Sequence, residues 1–424
     1  MGCAKNRVDS ECLAGELKRA GHELVEDVEL AEVGIVNTCG FIRPAVEESV
    51  AAILDLEQLK QQGKLKKIGV VGCLVNRYDM DLTSQMPAVD FWAQSEDWKR
   101  VIENLGGVSA SYRCRTNLPA SSPYTRYLKI SEGCDNRCTY CAIPGIRGGL
   151  RSLPVDLLVK EAQQLVEEGA KELCVVGQDL TVYGTDLSNG SDLVGLLDAL
   201  ESSLPKNIWI RLLYLHPSRV TTRLLERVAS GTQVLSYLDI PIQHADANVL
   251  ASMNRAIDPA QLLAIFQTAR SIDTSFALRT TCMVGFPGEG AVQYDNLLRF
   301  IEAARFDRLG AFTFFPEEGT EAATMHGQVP DAIKQKRLEK LLVLQENISI
   351  ERQRDFLGKT LDVLIDRVET EYGFAEGRSF REAPEVDGLI EVRGVLDKIK
   401  QGDVVSVRMT EAMPHDMVGE VRAL

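Results

Sequence analysis

The reading of this chain turns on the stretch Tyr127-Leu128-Lys129-Ile130-Ser131-Glu132-Gly133-Cys134-Asp135-Asn136-Arg137-Cys138-Thr139-Tyr140-Cys141. Five residues of strand character run into a C-x3-C-x2-C triplet, so three thiols share one tight loop just past a strand. Soft thiolates in that number suit an iron–sulfur cluster, and a 4Fe-4S cluster on three of them keeps one iron open for a bidentate ligand. A structural zinc wants four ligands. No fourth Cys or His is near, and the next His is His216. A zinc knuckle with a remote fourth ligand is the competing reading.

Outward from the loop, apolar runs of strand type alternate with amphipathic stretches. The candidate strands are 127–131, 172–177, 208–214, 235–240, 276–284 and 307–314, with helices at 157–166, 193–200, 222–228, 261–269 and 296–304. Six such βα units predict a parallel sheet curled toward a partial barrel, with the chemistry on the loops after the strands. Pro330-Asp331 opens a long helix with Leu338, Leu341, Leu342 and Ile348 inward, and Gly358 closes it.

Residues 1–110 alternate on a smaller scale. Strands fall at 33–38 and 68–71, and a helix after Pro44 carries Val46, Val50, Ile53 and Leu54 on one face. An earlier helix runs from Asp9 or Ser10 to Gly21 with Leu13 and Leu17 inward. This predicts a small parallel α/β domain, joined by a Gly/Ser/Pro linker at 106–123 to a second domain spanning 123–357. Residues 358–424 change character: Leu361, Val363 and Ile365 alternate strictly, and Gly373, Gly377, Gly388, Gly394, Gly402 and Gly419 punctuate short runs. That pattern predicts a small antiparallel β-barrel of about five strands. The fold class is α/β followed by an all-β barrel.

At 424 residues the chain has room for two or three domains, and 45% apolar with 25% charged residues excludes a disordered or fibrous chain. No apolar run approaches a membrane span, and no secretory leader is recognisable, so a cytoplasmic protein is expected. Lys and Arg number 47 against 61 Asp and Glu, a net charge of −14. Such a chain suits a basic partner better than a free nucleic acid. Ten cysteines in a reducing compartment point to metal or redox chemistry.

Cys3, Cys39 and Cys73 form a second set. Cys39 and Cys73 each follow a predicted strand, and in a parallel sheet the strand C-termini share one edge, so both thiols fall on the same side. Gly2, Gly40 and Gly72 stand beside the three thiols and allow close backbone approach. Three buried small hydrophobes would give the same spacing. Cys12, Cys114, Cys174 and Cys282 lack partners and read as structural.

The triplet, with Tyr140 before its last Cys at the head of a βα partial barrel, resembles the radical S-adenosylmethionine (SAM) superfamily. The stretches Gly2-Cys3-Ala4-Lys5-Asn6, Asp9-Ser10-Glu11, Asn37-Thr38-Cys39-Gly40 and Gly72-Cys73-Leu74 are similar to the N-terminal domain of the methylthiotransferases within it. Gly377-Arg378-Ser379 is similar to their C-terminal TRAM barrel. The resemblance implies two 4Fe-4S clusters. Cys134, Cys138 and Cys141 would hold the one that cleaves SAM, and Cys3, Cys39 and Cys73 an auxiliary one that carries the sulfur to be inserted. It also implies SAM as both methyl donor and radical source: the radical takes a hydrogen from the substrate, and the carbon radical collects a methylthio group. In the family a strand precedes the first Gly-Cys, so Cys3, which follows Met1-Gly2 here, is the least anchored of the expected ligands.

One branch of this family modifies a tRNA adenosine and another an aspartate of small-subunit ribosomal protein S-twelve. The Arg7–Glu11, Phe41-Ile42 and Ala383–Gly388 stretches are similar to the protein-modifying branch. Residues 358–424 carry 9 Lys/Arg against 14 Asp/Glu, a net of −5. A tRNA-binding barrel should be basic. An acidic one suits a Lys/Arg-rich ribosomal protein, with association to the small ribosomal subunit and a flavodoxin- or ferredoxin-type reductant implied. A tRNA methylthiotransferase and a non-catalytic iron–sulfur scaffold on the ribosome are the alternatives.

Strand ends supply the candidate SAM contacts: Gly177-Gln178-Asp179 after the second strand, Gln243 after the fourth, and Gly285 and Pro287 in the turn after the fifth, with Tyr140 on the cysteine loop. Ordinary βα-turn chemistry would account for these turns equally well. His244 faces the same mouth, and Arg211 and His216 are weaker candidates of the same kind; a lone His is more often packed than catalytic.

Overall fold

The computed structural model describes residues 2–107, 115–118, 122–255, 257–394 and 398–421. It divides into two compact units. The first comprises Met1–Ser121, Glu132–Arg137 and Cys141–Arg151; the second comprises Ser122–Ser131, Cys138–Tyr140 and Ser152–Leu424. Cys114 and most of the predicted linker lie outside the described residues.

In the first unit β1 (Val33–Thr38), β2 (Lys67–Gly72) and β3 (Phe91–Ala93) pair in parallel, in that order. Four helices, α1 (Ala4–Arg19), α2 (Arg43–Gln61), α3 (Cys73–Gln85) and α4 (Trp98–Asn104), pack on the sheet. Alternate residues of β2 feed two apolar clusters. Ile68 and Val70 join Val36, Ile53 and Trp92, while Val71 joins Leu13, Leu17, Phe91 and Ile102. A strand covered on both faces reads as one apolar run, which is why β2 is visible in sequence. Two expectations are corrected. Helix α1 begins at Ala4, because Cys3 takes the extended conformation of an N-cap and nothing in 4–8 breaks a helix. Leu54 is 50% exposed, one position off the inward face of α2.

The cysteine loop runs between two short strands, β5 (Ser131–Glu132) and β6 (Arg151–Ser152), and contains α5 (Ile143–Arg147). In the second unit β4 (Thr125–Lys129), β7 (Glu172–Val176) and β8 (Trp209–Leu212) form one parallel sheet. A second comprises β9 (Tyr237–Asp239), β10 (Ala277–Val284) and β11 (Arg308–Thr313). The Ile210–Val234 bridge and the bond from Leu215 N–H to the Asp239 carbonyl (2.9 Å) join them into one curled sheet, the predicted partial barrel. Its helices are α6 (Val155–Glu167), α7 (Leu193–Ser203), α8 (Thr222–Ser230), α9 (Ala247–Ser252), α10 (Pro259–Ile272), α11 (Ala291–Ala304) and α12 (Asp331–Arg354). Asp192, Thr221 and Asp258 cap α7, α8 and α10 by accepting from backbone N–H groups of the first turn. On α12, Leu341 and Ile348 are buried as expected, but Leu342 is 39% exposed.

The last five strands, β12 (Thr360–Glu369), β13 (Phe374–Arg378), β14 (Ile390–Arg393), β15 (Val404–Ala412) and β16 (Met417–Val421), close into a barrel in the order β12-β13-β14-β16-β15. Its pairs are antiparallel except β14 with β16, which are parallel, a correction to the all-antiparallel expectation. The end of β13 and the residues after it are fixed to the N-terminal ends of the central strands. Arg378 pairs with Glu172 (2.6 Å), Arg381 with Asp307 (3.2 Å), Arg308 with Glu382 (2.8 Å), and Tyr237 and Arg279 both bond Asp387 (2.6 and 3.2 Å). Arg211, expected near the mouth, belongs to this network instead: it is fully buried, bonds Glu172 (2.6 Å), and donates to the carbonyls of Phe380 and Ser379. No helix among the described residues is long and apolar enough to cross a membrane.

Candidate functional site

Register brings the first cysteine set together. Thr38 of β1 lies opposite Gly72 of β2, so Cys39 and Cys73 are the next residues at the same sheet edge. Cys73 is the first residue of α3, and Cys3 caps α1. Cys39 feels the charge of Cys3, and Cys73 feels that of both Cys3 and Cys39. The flanking motif residues act as a polar frame. Asn6 Nδ2 donates to the Thr38 carbonyl (3.1 Å), Asn37 Nδ2 to Ser10 Oγ (2.8 Å), and Thr38 Oγ1 to the Val71 carbonyl (2.6 Å). Ser49 Oγ accepts from Cys39 N–H and donates back to the Cys39 carbonyl, both at 3.1 Å. A Cβ on Gly40 would stand 2.7 Å from the Cys73 carbonyl oxygen, so only glycine lets the two turns close.

The thiols differ electrostatically. Burial pushes Cys73 up to about 11 and raises Cys39 as well. At Cys3, desolvation acts the same way, but the Lys5 ammonium, the Asn6 and Lys5 N–H groups and Arg147 outweigh it and hold the thiol below its ordinary value. Arg147, which the sequence reading did not single out, places its positive charge beside Cys73 and pairs with Asp9 (3.0 Å) and Glu132 (2.9 Å). Cys174 and Cys282 are fully buried and their thiols are pushed up by desolvation, as packed side chains should be.

On the second unit, Cys138-Thr139-Tyr140 is pinned to the end of α9. Thr139 N–H donates to the Met253 carbonyl (3.2 Å) and Thr139 Oγ1 to that of Ser252 (2.8 Å). Arg255 reaches the Tyr140 hydroxyl (3.3 Å), the Pro241 carbonyl (2.6 Å) and the Cys138 sulfur. The Tyr140 ring packs against Met253, Met283, Phe286 and Phe314.

The remaining expected contacts sit at the C-terminal ends of the parallel strands. The side-chain atoms Ser131 Oγ, Gln178 Nε2 and Gln243 Oε1 are buried without a partner. Gly177 fits there because a Cβ would stand 2.7 Å from Ser131 Oγ. Gln243 holds a left-handed backbone conformation (φ 66°), strain of the kind found at ligand sites. Gly285 N–H donates to Glu289 (2.8 Å), and Pro287 is buried in the turn that Glu289 N–H closes onto the Phe286 carbonyl (2.9 Å). Glu289 is therefore a hub: it also bonds Arg337 (2.7 Å) and stands 3.2 Å from His244 Nε2, close but misaligned for a hydrogen bond. His244 Nδ1 accepts from Asp246 N–H (3.0 Å), so a neutral ring carries its proton toward Glu289. Asp179 serves the fold: its carboxylate accepts from Thr181 N–H (2.9 Å) and pairs with Arg219. Burial and the nearby Arg255 press His216 down to about 3, so it stays neutral.

Residues 128–301 match the Radical SAM superfamily, residues 1–94 the Uncharacterized protein family UPF0004, and residues 357–421 the TRAM domain. A curled parallel sheet with a three-cysteine loop after its first strand, followed by a closed five-stranded barrel, thus defines a radical SAM enzyme with a TRAM domain. The fold is shared with a radical SAM methyltransferase, TsrM from Kitasatospora setae, at TM-score 0.56 and 13% identity over 91% of this chain and 79% of that one. Much nearer in sequence are proteins called ribosomal protein uS12 methylthiotransferase RimO. The one from Aquifex aeolicus is 41% identical over 99% of this chain and 95% of its own length. The one from Anaeromyxobacter sp. (strain K) is 42% identical over 100% of this chain and 92% of its own. The chain belongs to the RimO family of radical SAM methylthiotransferases.

Proposed function

We propose that this enzyme methylthiolates the β-carbon of an aspartate in ribosomal protein uS12, replacing C–H by C–S–CH3. The observation that carries the reading is identity above 40% to RimO proteins along nearly the whole chain, joined to two cysteine triads. Cys3, Cys39 and Cys73 would hold an auxiliary 4Fe-4S cluster; Cys134, Cys138 and Cys141 would hold the one beside SAM. The donor sets fit: three soft thiols each, and unpartnered buried polar atoms at the strand ends where SAM would lie. When bound, these groups supply one-electron cleavage of SAM, a transferable sulfur and a methyl group.

The protein's own part is placement. Thr139 and Arg255 fix the cysteine loop against α9, and Ser131, Gln178 and Gln243 offer a hydroxyl, an amide donor and an amide acceptor to the cofactor. Tyr140, Gly285 and Pro287 wall the same mouth through the Met283 and Phe286 cluster. The net charge of −14, with 14 acidic residues against 9 basic in the last 67 positions, favours a Lys/Arg-rich protein over tRNA. Action in the cytoplasm on the small ribosomal subunit, with a flavodoxin- or ferredoxin-type reductant, completes the reading. So does a division into 1–110, 123–357 and 358–424.

The test is anaerobic incubation of the iron-reconstituted enzyme with SAM, dithionite and sulfide, offered a uS12 loop peptide and unmodified tRNA. A mass gain of one CH2S unit on the peptide alone supports the proposal. The same gain on tRNA alone refutes it.

A further inference from the structure

The curled sheet ends in β4 on one side and β11 on the other, and the two edges differ. β4 is buried along its whole length, whereas β11 is buried only at Arg308, and its Phe312 is 42% exposed. Gln345 Nε2 and Ser349 Oγ of α12 donate to the carbonyls of Phe306 and Asp307 (2.9 and 3.1 Å), just before β11 begins. Beyond them β11 pairs with β10 in unbroken register from Arg308 to Thr313. In a parallel ladder alternate residues turn their backbone groups to the neighbouring strand. Phe314 N–H meets the Val284 carbonyl (2.8 Å), so Gly310 and Phe312 face β10, while Leu309, Ala311 and Thr313 turn their N–H and C=O groups outward. Among the described residues no strand or side chain bonds to those outward groups. Edge strands commonly carry Lys, Pro or a bulge against pairing with another chain, and Leu309-Gly310-Ala311-Phe312-Thr313 has none of these.

This edge leads to the mouth. Phe312 lies opposite Met283 and so on the same face of the sheet, and Met283 and Phe314 pack with Tyr140 of the cysteine loop. Phe315, 47% exposed, follows. From Leu309 to Ile333 the chain carries Glu317, Glu318, Glu321 and Asp331 and no Lys or Arg. We propose that β11 is the docking strand for the protein substrate: an extended segment of a Lys/Arg-rich chain adds to its open edge, against Phe312 and Phe315. The inference rests on the reading that a basic ribosomal protein is modified, and it names where that protein binds. Backbone pairing supplies affinity, and alternate side chains of the added strand supply specificity. Those on the Leu309 and Ala311 side meet the helical layer. Those on the Phe312 side point to the mouth, so an aspartate there is presented to the reacting groups. The two phenylalanines take apolar side chains or the stems of basic ones, and the acidic run after β11 steers the basic chain to this edge.

The experiment uses full-length enzyme reconstituted with iron and sulfide, with SAM and dithionite. The probe is the uS12 loop peptide, synthesised with one backbone N-methyl group at a time. Each N-methyl group removes a donor and blocks pairing at one residue without altering the enzyme. KM should rise at least about tenfold at alternate residues beside the aspartate, the loss of one or two hydrogen bonds, and stay near the parent value at the residues between. A311P deletes one outward donor where an edge strand tolerates proline, and should raise KM for the unmethylated peptide by a similar factor. SAM binding in equilibrium dialysis checks that this variant is folded. F312A/F315A should also raise KM, and E318Q/E321Q should flatten its dependence on salt. A KM insensitive to every N-methyl group, or raised equally at consecutive residues, overturns the docking strand, while methylthiolation of the peptide leaves the uS12 reading intact. An A311P variant that binds SAM and keeps the parent KM overturns it as well. A peptide that the parent enzyme never modifies overturns both.

Discussion

Replacing Asp307 by asparagine tests whether the segment after β13 is held to the central sheet by charge. The carboxylate is buried and takes four donors: Arg381 Nη2 and Arg352 Nε, each at 3.2 Å, Arg270 Nη2 at 3.1 Å, and Leu278 N–H at 3.0 Å. Arg270 and Arg352 touch water and are partly screened, so Arg381, 1% exposed, decides the magnitude. Its neutral partner is Gln353, its Nε is unpartnered, and the nearby Glu382 already bonds Arg308. D307N therefore strands a buried guanidinium, a defect that costs about 3–5 kcal/mol. The double variant D307N/R381M removes the stranded charge and should recover most of the loss, since the two sites share one network. Urea unfolding reports this through Trp209, which stands two residues before Arg211; W92F/W98F removes the other two tryptophans. The transition is read locally, since a chain of several domains need not unfold in two states. A D307N midpoint within about 1 kcal/mol of the parent, or a double variant no better than the single, would refute the charge argument.

Acid should loosen the same contact. Arginines outweigh burial and hold Asp307, Glu172 and Glu382 below the usual carboxylate range. The unfolded chain then binds more protons than the folded one at low pH. Stability is fully present above the unfolded values near 4 and falls as pH drops through the folded ones; the Trp209 urea midpoint between pH 7 and 3 measures it. Single Cys→Ala changes at Cys39 or Cys73 should each cost one cluster's worth of iron on reconstitution, whereas C174A and C282A should leave iron content unchanged, as colorimetric iron and sulfide assays would show. Q243A deletes a buried amide oxygen with no internal partner and should weaken SAM binding about tenfold, one lost hydrogen bond, in equilibrium dialysis. Unchanged binding would remove Gln243 from the SAM site.

The parts of this protein legible in sequence are those whose physics repeats along the chain. β1 and β2 are continuous apolar runs, and β12 alternates because one face lines the barrel and the other meets water. Cys39 and Cys73 could be placed at one edge because strand direction and register follow from such runs. Errors came where the period is a weak guide. Leu54 and Leu342 lie one position off their buried stripes, α9 is six residues long and too short for a helical period, and α1 starts on residues that carry no apolar pattern. The harder class is a polar side chain that acts on a distant segment. Arg147 acts on Cys73 from 74 positions away and Arg255 on Cys138 from 117, distances read directly off the residue numbers. Glu289 was in plain view beside the Gly285 turn, but its bonds to Gly285, Arg337 and the edge of His244 need three elements brought together. Such residues obey no spacing rule, because their partners are chosen by topology. The cysteines announce the chemistry in sequence, whereas the arginines beside Cys73 and Cys138 become visible only when the strands are set side by side.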